Sequence, residues 1–243
     1  MGTACNKPVL LAALASCLLL AACGGENTSS NVQSPGEEKS GKTRVLEAGA
    51  AALQDKTPLQ KMNIYLDGFH FYNGNLKGQM EAHHYCTKLN EDLTQCVIFD
   101  GNGENAKIMG VEYIISEKLF KTLPEGEKKL WHSHVHEVKS GTLVAPGIPD
   151  AAEHELMEQI VSTYGKTFHP LLMAAFIKDG QLDTNLIIAR DRRFGISTAE
   201  KRRNRADIAT PPVQPGADAW KNGEVRQLKI TNDASAVQAH DHR

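Results

Sequence analysis

The sequence predicts an α+β fold: a single compact domain with an antiparallel sheet and packed helices. Three observations predict it. Strand-like runs at residues 80–88, 95–100 and 107–116 are separated by the turn-forming strings Leu89-Asn90-Glu91-Asp92 and Asp100-Gly101-Asn102-Gly103, which reads as an antiparallel meander. Asp150-Ala151-Ala152-Glu153 is a capping box opening an amphipathic helix. Strict alternation of strands with crossover helices, the mark of a parallel α/β sheet, is missing.

A leader precedes the domain. Lys7 is followed by an apolar run over residues 9–22, which suits a signal peptide and is shorter than the roughly 20 residues of a membrane-spanning helix. Leu20-Ala21-Ala22-Cys23, ahead of Gly24-Gly25, resembles a bacterial lipoprotein signal. That resemblance implies cleavage before Cys23, a diacylglycerol on its sulfur and an acyl group such as palmitate on the new amino terminus. Leu14-Ala15-Ser16-Cys17 also fits the pattern, but cutting there leaves Leu18-Leu19-Leu20 exposed, whereas Cys23 begins a polar segment. Two or three acyl chains suffice for stable anchoring. The expected location is the bacterial cell envelope, with membrane attachment through the acyl anchor. No aspartate follows Cys23, which favours the outer membrane in a Gram-negative cell.

Domain limits follow from composition. Residues 1–22 are the signal peptide and residues 23–44 a lipid-anchored flexible tether, since 26–43 contain one large apolar residue, Val32, and cannot bury enough surface to order themselves. Residues 45–210 form the domain and 211–243 a polar tail opened by Pro211-Pro212. The formal charge is −2 for the whole chain. That balance argues against nucleic acid as a partner.

Within the domain, Thr57-Pro58-Leu59-Gln60 and the spacing of Leu59, Met62, Leu66 and Phe69 predict a helix over 58–71, although Phe69-His70-Phe71-Tyr72 alternates well enough for a strand. After the meander, 124–130 reads as a short helix and 132–138 as a strand ended by Gly141. The helix opened at Asp150 carries an apolar stripe of Leu156, Met157, Ile160, Val161 and Tyr164 and is closed by Gly165. Runs at 171–177 and 186–189 read as strands, and Ser197-Thr198-Ala199-Glu200 starts a basic helix.

The sharpest chemical feature is His132-Ser133-His134-Val135-His136. On a strand these three imidazoles share one face, and two at this spacing can chelate an ion. His83 and His84 supply further donors, with Glu81, Glu137 and His169 behind them, and the set suits one divalent ion, zinc or iron. The competing reading is a hydrogen-bonded polar sheet face. Gly126, followed by His132-Ser133-His134, resembles the opening of a cupin motif, but Glu137 comes too early for its glutamate, so cupin-like chemistry is a minor branch. Cys86 and Cys96 face each other across the hairpin centred on Glu91; a disulfide, two buried thiols and one thiolate ligand beside His84 all fit. Arg192, Arg193, Arg202, Arg203 and Arg205 make a candidate patch for anionic headgroups, each cation being worth about 1 kcal/mol near a charged surface. A solvated helix paired with acids is the plainer account, because no apolar face accompanies the charges. No nucleophile elbow, P-loop or dinucleotide-binding glycine pattern is present.

Longer strings carry a family resemblance. Gly68-Phe69-His70-Phe71-Tyr72, Glu81-Ala82-His83-His84-Tyr85-Cys86, Gly110-Val111-Glu112-Tyr113-Ile114-Ile115-Ser116 and Trp131-His132-Ser133-His134-Val135 resemble the oil-body-associated protein family, long catalogued as a domain of unknown function. The resemblance covers residues 57–210. It implies a single α+β domain and association with lipid surfaces, and brings no established reaction or cofactor. His83, His84, His132 and His134 fall in the shared strings, while His136 stands where plant members carry tyrosine.

Two readings result. In the first, an acyl-anchored lipoprotein displays a binding or structural domain at a lipid surface. In the second, His132 and His134 with His83 or His84 hold a metal ion, and Glu81 or Glu137 is the general base of a metal-dependent enzyme. The anchor is testable directly: Cys23→Ala should move the protein from the membrane to the soluble fraction, and continued retention contradicts the assignment.

Overall fold

The computed structural model describes residues 30, 36–72, 75–168 and 182–222. The leader with Cys23, the run at 171–177, His169 and residues 223–243 lie outside them. Ser40 caps helix α1, Gly41–Leu53, by accepting a hydrogen bond from Thr43 N. This helix begins inside the stretch expected to be tether and buries none of its residues. Helix α2, Thr57–Gln60, has Pro58 in its first turn.

The helix expected over 58–71 stops there, and the chain becomes strand β1, Ile64–Tyr72. Gly68 costs helix stability and the closely spaced aromatic residues suit a pleated surface, so the alternation at 69–72 prevails over the helical spacing. Strand β2, Asn75–Asn90, pairs along β1, with Leu66 opposite His84 and Asp67 opposite His83. Strands β3, Leu93–Phe99, and β4, Ile108–Ile115, complete the expected meander. Ser116 then caps α3, Glu117–Thr122, which is followed by α4, Glu125–Lys128.

The strand expected over 132–138 is reduced to β5, His132–Ser133. His134, at φ −80° and ψ 0°, turns the chain into helix α5, Val135–Ser140, which Gly141 ends in the left-handed region. The three histidines therefore do not share one strand face, and His136 leaves the group. Helix α6, Asp150–Ile160, forms where expected, but Pro149 is its N-cap and the capping box is not made: Glu153 accepts from Ala145 N instead. Tyr164 belongs to strand β6, Tyr164–Phe168, and not to the helix. Pairing of β6 with β4 outweighs continuation of the helix, since it seats the β-prone Tyr164, Thr167 and Phe168. The run at 186–189 is also helical: Asp183 caps α7, Thr184–Phe194, and Ser197 caps α8, Thr198–Asn204.

The strands form one curled, wholly antiparallel sheet of order β1-β2-β3-β4-β6-β5. Its inner face carries Leu66, Cys86, Cys96 and Ile114, packed against Val138 of α5 and Met157 and Ile160 of α6. Each such side chain contributes about 1.5–3 kcal/mol when fully buried. On the outer face Phe69 meets Leu186 and Ile187 of α7, and Ile115 meets Phe120, Trp131 and Tyr164. Cys86 and Cys96 are opposite one another in β2 and β3 and form a disulfide.

Buried arginines strap the last two helices down. Arg205 donates to Val138 O and Leu143 O at 2.9 and 2.8 Å, and Arg190 donates to Thr142 O. Residues 211–222, expected as tail, lie along the domain over this stretch. Gln214 N donates to Tyr164 Oη and Ser133 N donates to Asp218 Oδ1.

Gly141 is held where α5 meets α8. At φ +76°, a Cβ there would sit 2.5 Å from Thr198 O and 2.8 Å from Arg202 N, both backbone atoms. Left-handed strain and overpacking add, so Gly141→Ala should lower the unfolding free energy by about 2–4 kcal/mol in urea titrations. A change under about 0.5 kcal/mol contradicts this packing.

Candidate metal centre

Glu112 sits in the middle of β4, facing inward between Cys96 of β3 and Thr167 of β6. A carboxylate removed from water costs several kcal/mol unless donors or cations surround it. Four imidazoles do so: His70 from β1, His84 from β2, His132 from β5 and His134 at the start of α5. All five side chains are buried, at 2–5% exposure. His84 Nε2 lies 3.1 Å from Glu112 Oε2, while His132 Nε2 and His134 Nε2 each lie 3.4 Å from Oε1. His70 Nε2 is 3.2 Å from His84 Nε2.

Electrostatics bind the cluster. Burial by itself would raise the Glu112 carboxyl, but hydrogen bonds from His132, His134 and His84 outweigh it and hold the group well below the usual carboxylate range. Burial likewise disfavours charge on His132, yet the hydrogen bond and negative charge of Glu112 win and push it up to about 9.

The far nitrogens fix which ring nitrogen faces the centre. His84 Nδ1 donates to Ala82 O at 3.0 Å. Thr163 Oγ1 gives its own hydrogen to Ile160 O at 2.7 Å and accepts from His134 Nδ1 at 2.8 Å. With Nδ1 donating outward in both rings, Nε2 of His84 and of His134 is the nitrogen that faces Glu112, the orientation that metal-ligating histidines adopt. Between such a nitrogen and a carboxylate a cation is required, either a proton or a metal ion.

The surroundings leave room for one. A cavity of about 10 Å³ is bounded by His70, His84, Glu112, His134 and Glu137 and closed by Leu66, Ile114 and Ile160. That is the volume of one water-sized occupant. Gly165 of β6 makes the cradle: a Cβ there would overlap Glu112 Oε1 and lie 2.6 and 2.7 Å from His132 Cε1 and Nε2.

Of the residues expected from the sequence, His84, His132 and His134 meet here and Glu137 borders the site, its Oε2 4.0 Å from His134 Nε2. His83 does not, because neighbouring residues of a strand point to opposite faces. On the outer face its Nδ1 hydrogen-bonds with Tyr65 Oη at 2.7 Å and lies 3.1 Å from Asp67 Oδ2, and burial lowers its pKa to about 3. Glu81 shares that face and pairs with Arg193, so it is far from the role of base in the inner centre. Cys86 is in the disulfide and is not a thiolate ligand. The expected arginine patch is divided: Arg205 is buried, Arg193 is bound to Glu81, and Arg192, Arg202 and Arg203 are exposed. His70 and Glu112 were missed. Reading 69–72 as a strand would have exposed the first, and the lone acid in phase with Gly110 and Ile114 signals the second.

Residues 56–209 match the family model described as a protein of unknown function, DUF1264. The chain belongs to this family. The DUF1264 match spans all five residues of the centre as well as Gly165. Oil body-associated protein 1B of Arabidopsis thaliana is 39% identical over 218 residues, covering 84% of this chain and 90% of that protein. Oil body-associated protein 1A of Zea mays is 39% identical over 225 residues, covering 85% and 94%. Oil body-associated protein 2A of Zea mays is 36% identical over 204 residues, covering 76% and 81%. No solved structure matches the chain.

The cradle of this DUF1264 domain has a direct test. Gly165→Ala should displace Glu112 and His132 and lower stability by about 1–3 kcal/mol, read by thermal unfolding. An unchanged melting temperature contradicts a close fit around Glu112.

Proposed function

We propose that this domain binds a divalent transition metal in the histidine–glutamate centre and presents it at a lipid surface. The orientation of His84 and His134 carries the first part: both are keyed through Nδ1 so that their Nε2 atoms converge on a buried carboxylate. The separations support it. Contacts of 3.1–3.4 Å among these nitrogens and oxygens match the edge of about 3.4 Å of a tetrahedron with metal–nitrogen bonds of about 2.1 Å. Imidazole with carboxylate suits zinc or iron. The geometry supports binding; among the described residues Glu137 is a carboxylate beside the centre that could serve as a base in a reaction.

Three observations support the lipid surface. The relatives are named for oil bodies, and the leader resembles a lipoprotein signal that would tether the chain to a bacterial envelope through Cys23. The outer sheet face exposes Ile108, Val111, Tyr113 and Phe168 beside a groove of about 440 Å³ that Leu59, Met62 and Phe99 help to line. Among the described residues no helix is long and apolar enough to cross a membrane, so acyl chains and this face are the means of contact in this reading.

Elemental analysis tests the metal. Purified protein dialysed against zinc or anaerobic ferrous iron, then against buffer, should retain stoichiometric ion. His132→Ala should lower retention at least tenfold, whereas His83→Gln, on the other face, should keep it. A folded wild-type chain that retains no metal overturns the assignment.

A further inference from the structure

The metal centre has two halves. Glu112 does not direct both oxygens to the same partners: Oε2 meets His84, which stands against His70, and Oε1 meets His132 and His134. The donor atoms of His70, His84 and Glu112 all lie within 4.8 Å of one another, and so do those of Glu112, His132 and His134. Each triad by itself approaches the spacing of donors around one ion, whose bonds of about 2.1 Å allow opposite ligands about 4.2 Å apart. One ion taking all four imidazoles would require Glu112, which stands between the two pairs, to leave the middle.

Resting on the metal-binding reading, we propose that the centre holds two divalent transition-metal ions bridged by the Glu112 carboxylate, one on His70 and His84, the other on His132 and His134. The chemistry of the donors agrees with this division. A carboxylate binds two ions through its two oxygens, and carboxylate-bridged ions typically sit about 3.5–4 Å apart. Paired cations in an interior need more negative charge than one carboxylate supplies. Glu137 provides it on the side of the second ion, beside His134. Because the single water-sized cavity borders both pairs, one of the two ions takes its place between donors already in contact, where a proton would otherwise sit. The two pairs also come from separate parts of the chain. His70 and His84 belong to the hairpin of β1 and β2, while His132 and His134 flank the β5–α5 junction, so each half can be removed without the other.

The test is stoichiometry. The purified full chain, stripped with chelator, is titrated with Zn²⁺ by calorimetry, and bound metal is counted by elemental analysis. Two ions per chain are expected for the wild type, and one each for H70A/H84A and H132A/H134A. In the Mn²⁺-loaded wild type, electron paramagnetic resonance should show an exchange-coupled pair, lost in Glu112→Gln. Saturation of the wild type at one ion overturns the bridged pair while leaving the metal-binding reading intact. Two ions that persist in both double variants, or a Mn²⁺ spectrum without coupling, also overturn it. Binding of no ion by folded wild type overturns both readings together.

Discussion

A negative charge in the interior is the constraint around which this domain is arranged. Glu112 lies on a central strand with almost no contact with solvent, and a carboxylate there is tolerated only when surrounded. Its partners come from β1, β2, β5 and the start of α5, so satisfying one side chain requires nearly the whole sheet to be assembled. The short β5 is explained by the same need. Two paired residues suffice to bring His132 beside Gly165, and the turn at His134 then swings a second imidazole toward the same carboxylate.

The two faces of the sheet solve the problem of buried charge differently. On the inner face imidazoles surround Glu112. On the outer face Asp67 and Glu81 meet the guanidinium groups of Arg190 and Arg193, and burial together with Glu81 pushes the Asp67 carboxyl well above its ordinary range. Fixed arginine charges already compensate that second cluster, which makes it a structural network. Among the described residues the inner cluster has no Lys or Arg as a close partner, and its imidazoles are groups that can exchange a proton for a metal ion. Adjacent histidines of one strand, His83 and His84, thus serve different purposes because alternation places them on different faces.

Arginine was read from the sequence as a surface charge, and the structure uses much of it as internal strapping. Arg190 and Arg205 reach carbonyls at the end of α5 and in the segment after it, fixing α7 and α8 over the sheet. Guanidinium groups suit this task because one planar fork can satisfy several acceptors that water cannot reach. The exposed remainder of the cluster is smaller than its run of sequence implies.

Local signals were enough for the α+β class, the β2–β4 meander, the helix at Asp150 and the facing cysteines, because turns, apolar spacing and alternation act over a few residues. They also marked His84, His132 and His134 as unusual. They failed where two local patterns competed: residues 64–72 satisfied both a helical and a strand spacing, and only pairing with β2 decided between them. The set of donors was decided by tertiary structure for a related reason. His70 and Glu112 are 42 positions apart in sequence, and what unites them is strand register, which assigns each residue to one face and sets unrelated segments side by side. Sequence by itself determined which residue types were available for chemistry; sheet pairing determined which of them face the same buried charge.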